Sequence, residues 1–336
     1  MKLCVVIYCF CCAFGGFSQD INYSNIQTIT QLYNPSLTAA NADFESALSY
    51  RNQGKSTQSN FNVYSLSFAT SLMPKRRKRQ GNLTMGLNVY KEQMKNKFSI
   101  NSALISTAYH ISITEKSRFS AGVNYGVFNI STDVDNGMWG SQFDGTRFNP
   151  NIASGEIQSL SNITKFDVGA GVSFAQLSNK INVPIFDFGL AVFHLNQPKI
   201  SLYSTDNRLP MRIVMNSSVA LPLGKKGSYI QATYVFQHQS KFNTNTLGVQ
   251  TAIQLKSSAQ TTSSISKINS WYVGAGVAVR IKDAFITNIF VQKSSFKLSF
   301  AYDFTTSSFQ KSNRSMGALE FVLQYSIKNY NLNSRY

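Results

Sequence analysis

The chain has 336 residues, 32 of them Lys or Arg against 15 Asp or Glu, for a formal charge of +17. Only 14% of residues are charged, below the roughly 25% of soluble domains, while 43% are apolar and 13% aromatic. A chain this rich in Phe and Tyr can bury a large surface, which excludes disorder, and 20 Gly with 7 Pro exclude collagen-like or proline-rich architecture.

The first predicted element is an export signal. Met1-Lys2 is a short cationic start, Leu3 to Phe14 is an apolar run, and Gly16 and Ser18 are small residues ahead of an expected cleavage before Gln19. The run is too short to span a membrane as a helix, and a polar stretch follows at once. All four cysteines, Cys4, Cys9, Cys11 and Cys12, fall inside it. The expected mature chain therefore has no disulfide framework and no cysteine-based metal site or nucleophile.

Beyond the signal the dominant pattern is alternation. In Phe166 to Phe174 every even position is apolar and every odd one is small or polar. Successive strand side chains point to opposite faces, so one face is a greasy stripe and the other thin and hydrophilic. Fourteen stretches follow this grammar: 44–53, 60–72, 82–94, 97–113, 117–131, 164–177, 185–195, 209–222, 227–239, 243–256, 269–281, 284–293, 295–304 and 316–327. Most reach about ten residues, the length a tilted strand needs to cross a bilayer. An even number of long antiparallel strands with aromatics near their ends predicts an all-β transmembrane barrel of about 14 strands. A soluble β-sandwich, the alternative, would show shorter strands and more surface charge. The reading divides the chain into signal peptide 1–18, N-terminal periplasmic segment 19–43, outer-membrane barrel 44–327 and C-terminal tail 328–336.

Connection lengths predict the orientation. With both barrel termini periplasmic, the long links 132–163, 196–208 and 305–315 all face outward, where barrels keep their long loops. The inner links 114–116 and 294 are tight, and 257–268 is the exception. Charge is concentrated in Lys75, Arg76, Arg77, Lys78 and Arg79, placed in the turn after the second strand. That run is a candidate docking patch for an acidic periplasmic partner, or else a solvated turn. A nucleic-acid partner does not fit an exported barrel.

Catalytic signals are thin. His110, His194 and His238 have poor surroundings for a triad or a metal, and no Gly-x-Ser-x-Gly elbow occurs. Gly169/Gly171 and Gly274/Gly276 lack the third glycine and helix of a dinucleotide loop, and read instead as small inward residues that leave room inside a barrel. Asp133 and Asp135 share a loop without making a cation motif, and Met138-Trp139-Gly140 reads as loop packing. No enzyme activity, cofactor or metal is expected.

Several short motifs resemble one family. Asn34-Pro35-Ser36, Tyr50-Arg51-Asn52-Gln53, His194-Leu195-Asn196-Gln197-Pro198, Phe300 to Thr305 with Tyr302 and Asp303, and Gly317-Ala318-Leu319-Glu320 are similar to the PorP/SprF family of type IX secretion outer-membrane proteins of the Bacteroidetes. The resemblance spans nearly the whole mature chain, with departures at Gly54 and in the Ser/Thr-rich stretch 256–266. It implies a non-enzymatic outer-membrane barrel of the type IX secretion and gliding machinery. The implied partners are outer-membrane lipid, periplasmic ring proteins, or a large surface adhesin carrying a C-terminal sorting domain. A passive porin is the alternative, although inner faces rich in Ser, Gly, Asn and Tyr do not demand a pore.

Overall fold

Fourteen antiparallel strands follow one another around a closed barrel in the computed structural model. They are β1 Phe44–Gln53, β2 Phe61–Ser71, β3 Gly81–Met94, β4 Phe98–Ser112, β5 Ser117–Thr132, β6 Asn162–Gln176 and β7 Phe186–Phe193, then β8 Arg212–Leu223, β9 Ser228–Gln239, β10 Phe242–Thr262, β11 Ile265–Arg280, β12 Ala284–Lys293, β13 Phe296–Thr305 and β14 Met316–Ile327. The structure describes residues 20–27, 29–54, 60–72, 81–94, 98–132, 140–153, 155, 162–178, 180–181, 183–201, 207–224, 227–262, 265–307 and 316–327. The expected signal 1–18, the basic run Lys75 to Arg79, Asp133, Asp135, Met138, Trp139 and the tail 328–336 lie outside them.

β1 and β14 close the barrel, with Leu48 opposite Leu323, Tyr50 opposite Phe321 and Arg51 opposite Glu320. Closure leaves no strand edge, the condition for a sheet to sit in lipid. The alternation predicted from sequence decides which face is which. Phe166 is 73% exposed on the outer wall while its neighbour Asp167 is 4% exposed inside. Leu48, Leu66, Phe68, Val123, Leu190, Ile213, Val277 and Leu298 continue the outer apolar band. Inward, Ser49, Ser65, Ser102, Ser106, Ser120, Ser173, Asn88, Asn124 and Asn216 are buried.

The strand bounds match the alternating stretches closely, with one correction. The expected inner link 257–268 is a paired hairpin, because β10 runs to Thr262 and β11 begins at Ile265, with Ser258 opposite Asn269 and Gln260 opposite Lys267. The register shifts between Gln254 and Lys256. Alternation of polarity fades there, but Thr and Ile still favour extended backbone, and a ladder needs no apolar face.

A second difference decides the character of the barrel. Residues 20–27 and 29–43, part of the expected N-terminal periplasmic segment 19–43, lie inside the lumen. Tyr23, Ile29 and Tyr33 are buried against Ala47, Val63, Ala191, Phe193, Val214, Val235 and Val322 of the wall, with Ile21, Ile26 and Leu32 packed alongside. Fully burying an aliphatic side chain such as Ile29 is worth about 1.5–3 kcal/mol, so this packing favours the lumenal path. A second inner cluster joins Tyr229, Tyr272 and Phe290 to Ile181 and Val183 of the β6–β7 link.

Candidate functional site

The lumenal strap, residues 20–43, is held at successive depths. At the end of the barrel that carries the long links, the Asp20 N–H donates to Gln239 Oε1 at 3.1 Å, and Gln237 Nε2 donates to Asn22 Oδ1 at 2.8 Å. Further in, the Ser24 and Asn25 N–H groups donate to the two carboxylate oxygens of Glu320 at 2.7 and 3.1 Å. Gln27 then donates to Thr233 Oγ1 at 2.8 Å, and Gln31 Nε2 to Asn88 Oδ1 at 2.9 Å.

Two short 3-10 turns, Thr30–Leu32 and Pro35–Leu37, compact the middle of the strap. Asn34 caps the second turn, its Oδ1 accepting from the Ser36 N–H at 3.0 Å, with Pro35 at the first position. Its Nδ2 donates to the Val172 carbonyl at 3.1 Å and lies 3.3 Å from Asn216 Oδ1. A single fully buried amide thus caps a turn and ties it to the wall. Toward the other end, the Thr38 carbonyl accepts from Thr84 Oγ1 at 2.8 Å and lies 3.0 Å from His110 Nε2. Arg118 donates to the Ala40 carbonyl and to Asn41 Oδ1, and the Asp43 N–H meets the Ile327 carbonyl.

The wall makes room for this path. A Cβ added at Gly122 would stand 2.7 Å from the backbone of Pro35 and Ser36. One at Gly86 would meet Gln31 and Thr38, and one at Gly171 or Gly189 would strike the Asn34 amide. Cavities beside the strap measure about 10, 40 and 140 Å3, whereas a recess of about 590 Å3 lies at the end carrying the long links.

Two charged clusters anchor the strap near that recess. In the first, Arg51 Nη2 lies 3.1 Å from Asp303 Oδ2 and its Nη1 3.3 Å from Glu320 Oε2. Arg51 also donates to Ser24 Oγ. Arg280 Nη1 reaches Asp283 at 2.9 Å and Asp303 at 3.4 Å. Two buried guanidinium groups therefore face two buried carboxylates, with the half-exposed Asp283 beside them. In the second cluster, His194 Nε2 lies 2.8 Å from Asp20 Oδ2 and its Nδ1 2.9 Å from Asp167 Oδ1, while Arg212 Nε lies 3.1 Å from Asp20.

The imidazole of His194 satisfies both carboxylates only when both ring nitrogens carry protons. Burial alone would push it down, but Asp20 and Asp167 outweigh burial and raise it from 6.5 to about 9. Burial likewise opposes the charge on Asp20, yet Arg212 and His194 hold its carboxyl below the usual range. Among the described residues no group of three or more His, Cys, Asp and Glu side chains is arranged to hold a metal ion.

The motif residues picked out in the sequence meet here in part. Arg51, Asp303 and Glu320, from three distant stretches, form one ion-pair cluster, and Gln53 accepts from Arg51 at 3.4 Å. Asn34 and Pro35 form the strap's central turn, and Gly317 packs beneath Asp303. Asn52 instead bonds Asn62 on the neighbouring β2 and Asn60 just before it. Asn196 reaches the Phe166 carbonyl at 2.8 Å, and the Pro198 carbonyl accepts from Leu209, so both shape the loop that follows β7. Tyr302 meets Phe304 edge to face, its ring centroid 4.8 Å away. Sequence reasoning missed Asp20, Asp167, Arg212 and Arg280. For Asp167, Arg212 and Arg280 the available signal was charge at inward positions of the alternation, where a buried ion requires a partner; Asp20 lies outside the strands and carried no such signal.

A family model described as type IX secretion system membrane protein PorP/SprF matches residues 15–325. Among solved structures, the chain is similar to a TodX monoaromatic hydrocarbon channel deltaS2 mutant at 10% identity and a TM-score of 0.50, covering 90% of this chain and 94% of that one. It is also similar to the CymD monoaromatic hydrocarbon channel at 11% identity and a TM-score of 0.45, covering 91% and 94%. The Acinetobacter baumannii outer membrane protein Omp33 aligns at 7% identity and a TM-score of 0.41, covering 85% and 98%. At such identities the likeness is one of fold alone. No curated protein matches the chain.

Proposed function

The chain belongs to the PorP/SprF family of type IX secretion system membrane proteins, and from that premise we propose that this outer-membrane barrel works without catalysing a reaction. Its task is to assist export or surface anchoring of a cargo bearing a C-terminal sorting domain, such as a gliding adhesin, or to dock the periplasmic ring. The observation that carries this reading is the strap. A lumen packed with Tyr23, Ile29 and Tyr33 and crossed by side-chain bonds does not offer the water-filled path of a porin. Lipid-facing strands cannot discriminate among soluble partners, so recognition falls to the two mouths and their loops.

The end holding Phe44 and Ile327 faces the periplasm in this reading, because links 133–161, 194–211 and 306–315 gather at the other end. The basic run Lys75 to Arg79 joins β2 to β3 and so falls on the periplasmic side, where it docks an acidic partner. Surface proteomics of a deletion strain is the test. Loss of one secreted or surface-displayed protein supports a cargo-dedicated role, and broad loss supports a ring-linked one. Normal levels of every surface protein together with altered uptake of a small solute would restore the porin.

A further inference from the structure

The route of the strap has a direction. Asp43 lies at the end of the barrel that holds Phe44 and Ile327, where its backbone bonds Ile327 and Ser71. Working backward along the chain, Ala40 and Asn41 meet Arg118 at the start of β5, and Thr38 meets Thr84 and His110 near the same end of β3 and β4. Asn34 lies at middle depth, between β6, β7 and β8. Ser24 and Asn25 meet Glu320, and Arg51 beside it, in the far half of β14 and β1. Asn22 and Asp20 bond Gln237 and Gln239 at the far end of β9, and Asp20 also meets Arg212 and His194, at the far ends of β8 and β7.

The segment therefore crosses the whole barrel, opposite to the strand that follows it. From this we infer that the N-terminal end of the strap is delivered through the barrel to the outer mouth; the side assigned rests on the orientation proposed above. The recess of about 590 Å3 at that mouth is built partly from the strap, with Asp20, Ile21 and Asn22 set beside Arg51, Arg280 and Asp283. What the barrel presents to an extracellular polypeptide is then a composite surface, in which loops and the beginning of the strap share one rim. A segment confined to the periplasm could contribute nothing there.

The full-length protein, in its own cells, tests this with single cysteines and a membrane-impermeant thiol reagent, the parent chain serving as the blank. Asn22→Cys samples the strap, Thr146→Cys a long link, and Glu115→Cys the tight turn at the opposite end. The expected result is that Asn22→Cys labels on intact cells as Thr146→Cys does, and that Glu115→Cys labels only after lysis. If Asn22→Cys follows Glu115→Cys while Thr146→Cys labels on intact cells, the strap does not reach the outer mouth and the inference falls. If Glu115→Cys labels on intact cells and Thr146→Cys does not, the orientation is wrong instead, and Asn22→Cys following Thr146→Cys still supports a full crossing. Absence of label at Asn22→Cys even after lysis also overturns the inference. A second variant guards against a misfolded one. Ser36 Oγ lies 2.8 Å from Ser173 Oγ, so Ser36→Cys/Ser173→Cys should oxidise to an internal disulfide, and failure to do so in a folded barrel counts against the lumenal path.

Discussion

Removing Glu320 should loosen the barrel seam and the strap together. Its carboxylate accepts from the Ser24 and Asn25 N–H groups at 2.7 and 3.1 Å and pairs with Arg51 at 3.3 Å, while 1% of the residue is exposed. Arg51 and Glu320 sit opposite each other where β1 meets β14, so the same carboxylate joins closure to strap. Glu320→Ala leaves two buried guanidinium groups facing only Asp303 as a buried carboxylate. Breaking a buried pair by deleting one partner costs about 3–5 kcal/mol. Arg51 keeps Asp303 at 3.1 Å, which places the expected loss toward the lower figure. Glu320→Gln keeps one carbonyl acceptor for the strap and should cost less. The assay is the urea midpoint of the barrel in detergent micelles, read together with protease sensitivity of the strap. A linked pair predicts that Arg51→Ala combined with Glu320→Ala costs less than the two single losses summed, since contacting residues are not additive. Simple additivity, or a Glu320→Ala loss under about 1 kcal/mol, would refute the reasoning.

Three further outcomes follow from the same geometry. Gly122→Leu drives a side chain into the Pro35 backbone and should cost about 1–3 kcal/mol as overpacking, seen as a lower urea midpoint; an unchanged midpoint would mean that the strap does not pass there. Deleting residues 20–40 should turn a non-conducting barrel into an open one in liposome recordings, and equal conductance with and without the strap would argue against its sealing role. For the His194 cluster, a pKa raised from 6.5 to about 9 means stability that is complete below about 6.5 and lost as pH rises through about 9, up to roughly 3 kcal/mol. Asp20, held below the usual range, contributes above about 4 and loses its contribution only as pH falls. Labelling of Asn22→Cys, normalised to Thr146→Cys, should therefore rise at alkaline pH, and His194→Gln should flatten that rise.

The wall was legible because it obeys one rule. Every strand sits between lipid and a polar interior, so period-two alternation marks each one, and β1, β12 and β14 fall on the bounds that alternation predicts. The rule fails beyond the bilayer, where the β10–β11 hairpin continues with no apolar face to announce it. It also fails for the strap. Ile21 and Tyr23 are two apart and Ile26, Ile29 and Tyr33 are three and four apart, so the spacing changes within a dozen residues and neither run is long enough to announce an element. Among the motif residues, Arg51, Asp303 and Glu320 stood in three separate stretches, and only barrel closure brings them to one point. Asp20 fell in the expected N-terminal periplasmic segment 19–43, with no local pattern pointing to His194 and Arg212, against which the strap's course places it.

Small inward residues suit an open pore as well as a filled one, and the difference lies in what they face. In a pore, glycine on the wall widens a water column. Here Gly86, Gly122, Gly171 and Gly189 each lie against the strap, where a Cβ would collide with Gln31, Pro35 or Asn34. The lumen is cut to one polypeptide path, and that path is occupied by the chain's own residues. The strap is also covalently joined to β1, which gives it a high effective concentration over any competing segment. A free peptide would have to replace the Glu320, Arg118 and Asn34 contacts at once to displace it. Under the proposed function, a partner would gain more by binding what the strap leaves free, such as the recess of about 590 Å3 whose rim includes Asp20, Ile21 and Asn22. On the proposed function, selectivity for one secreted partner over another would rest on that rim and the long links around it, and the strap's sealing role is what the conductance comparison tests.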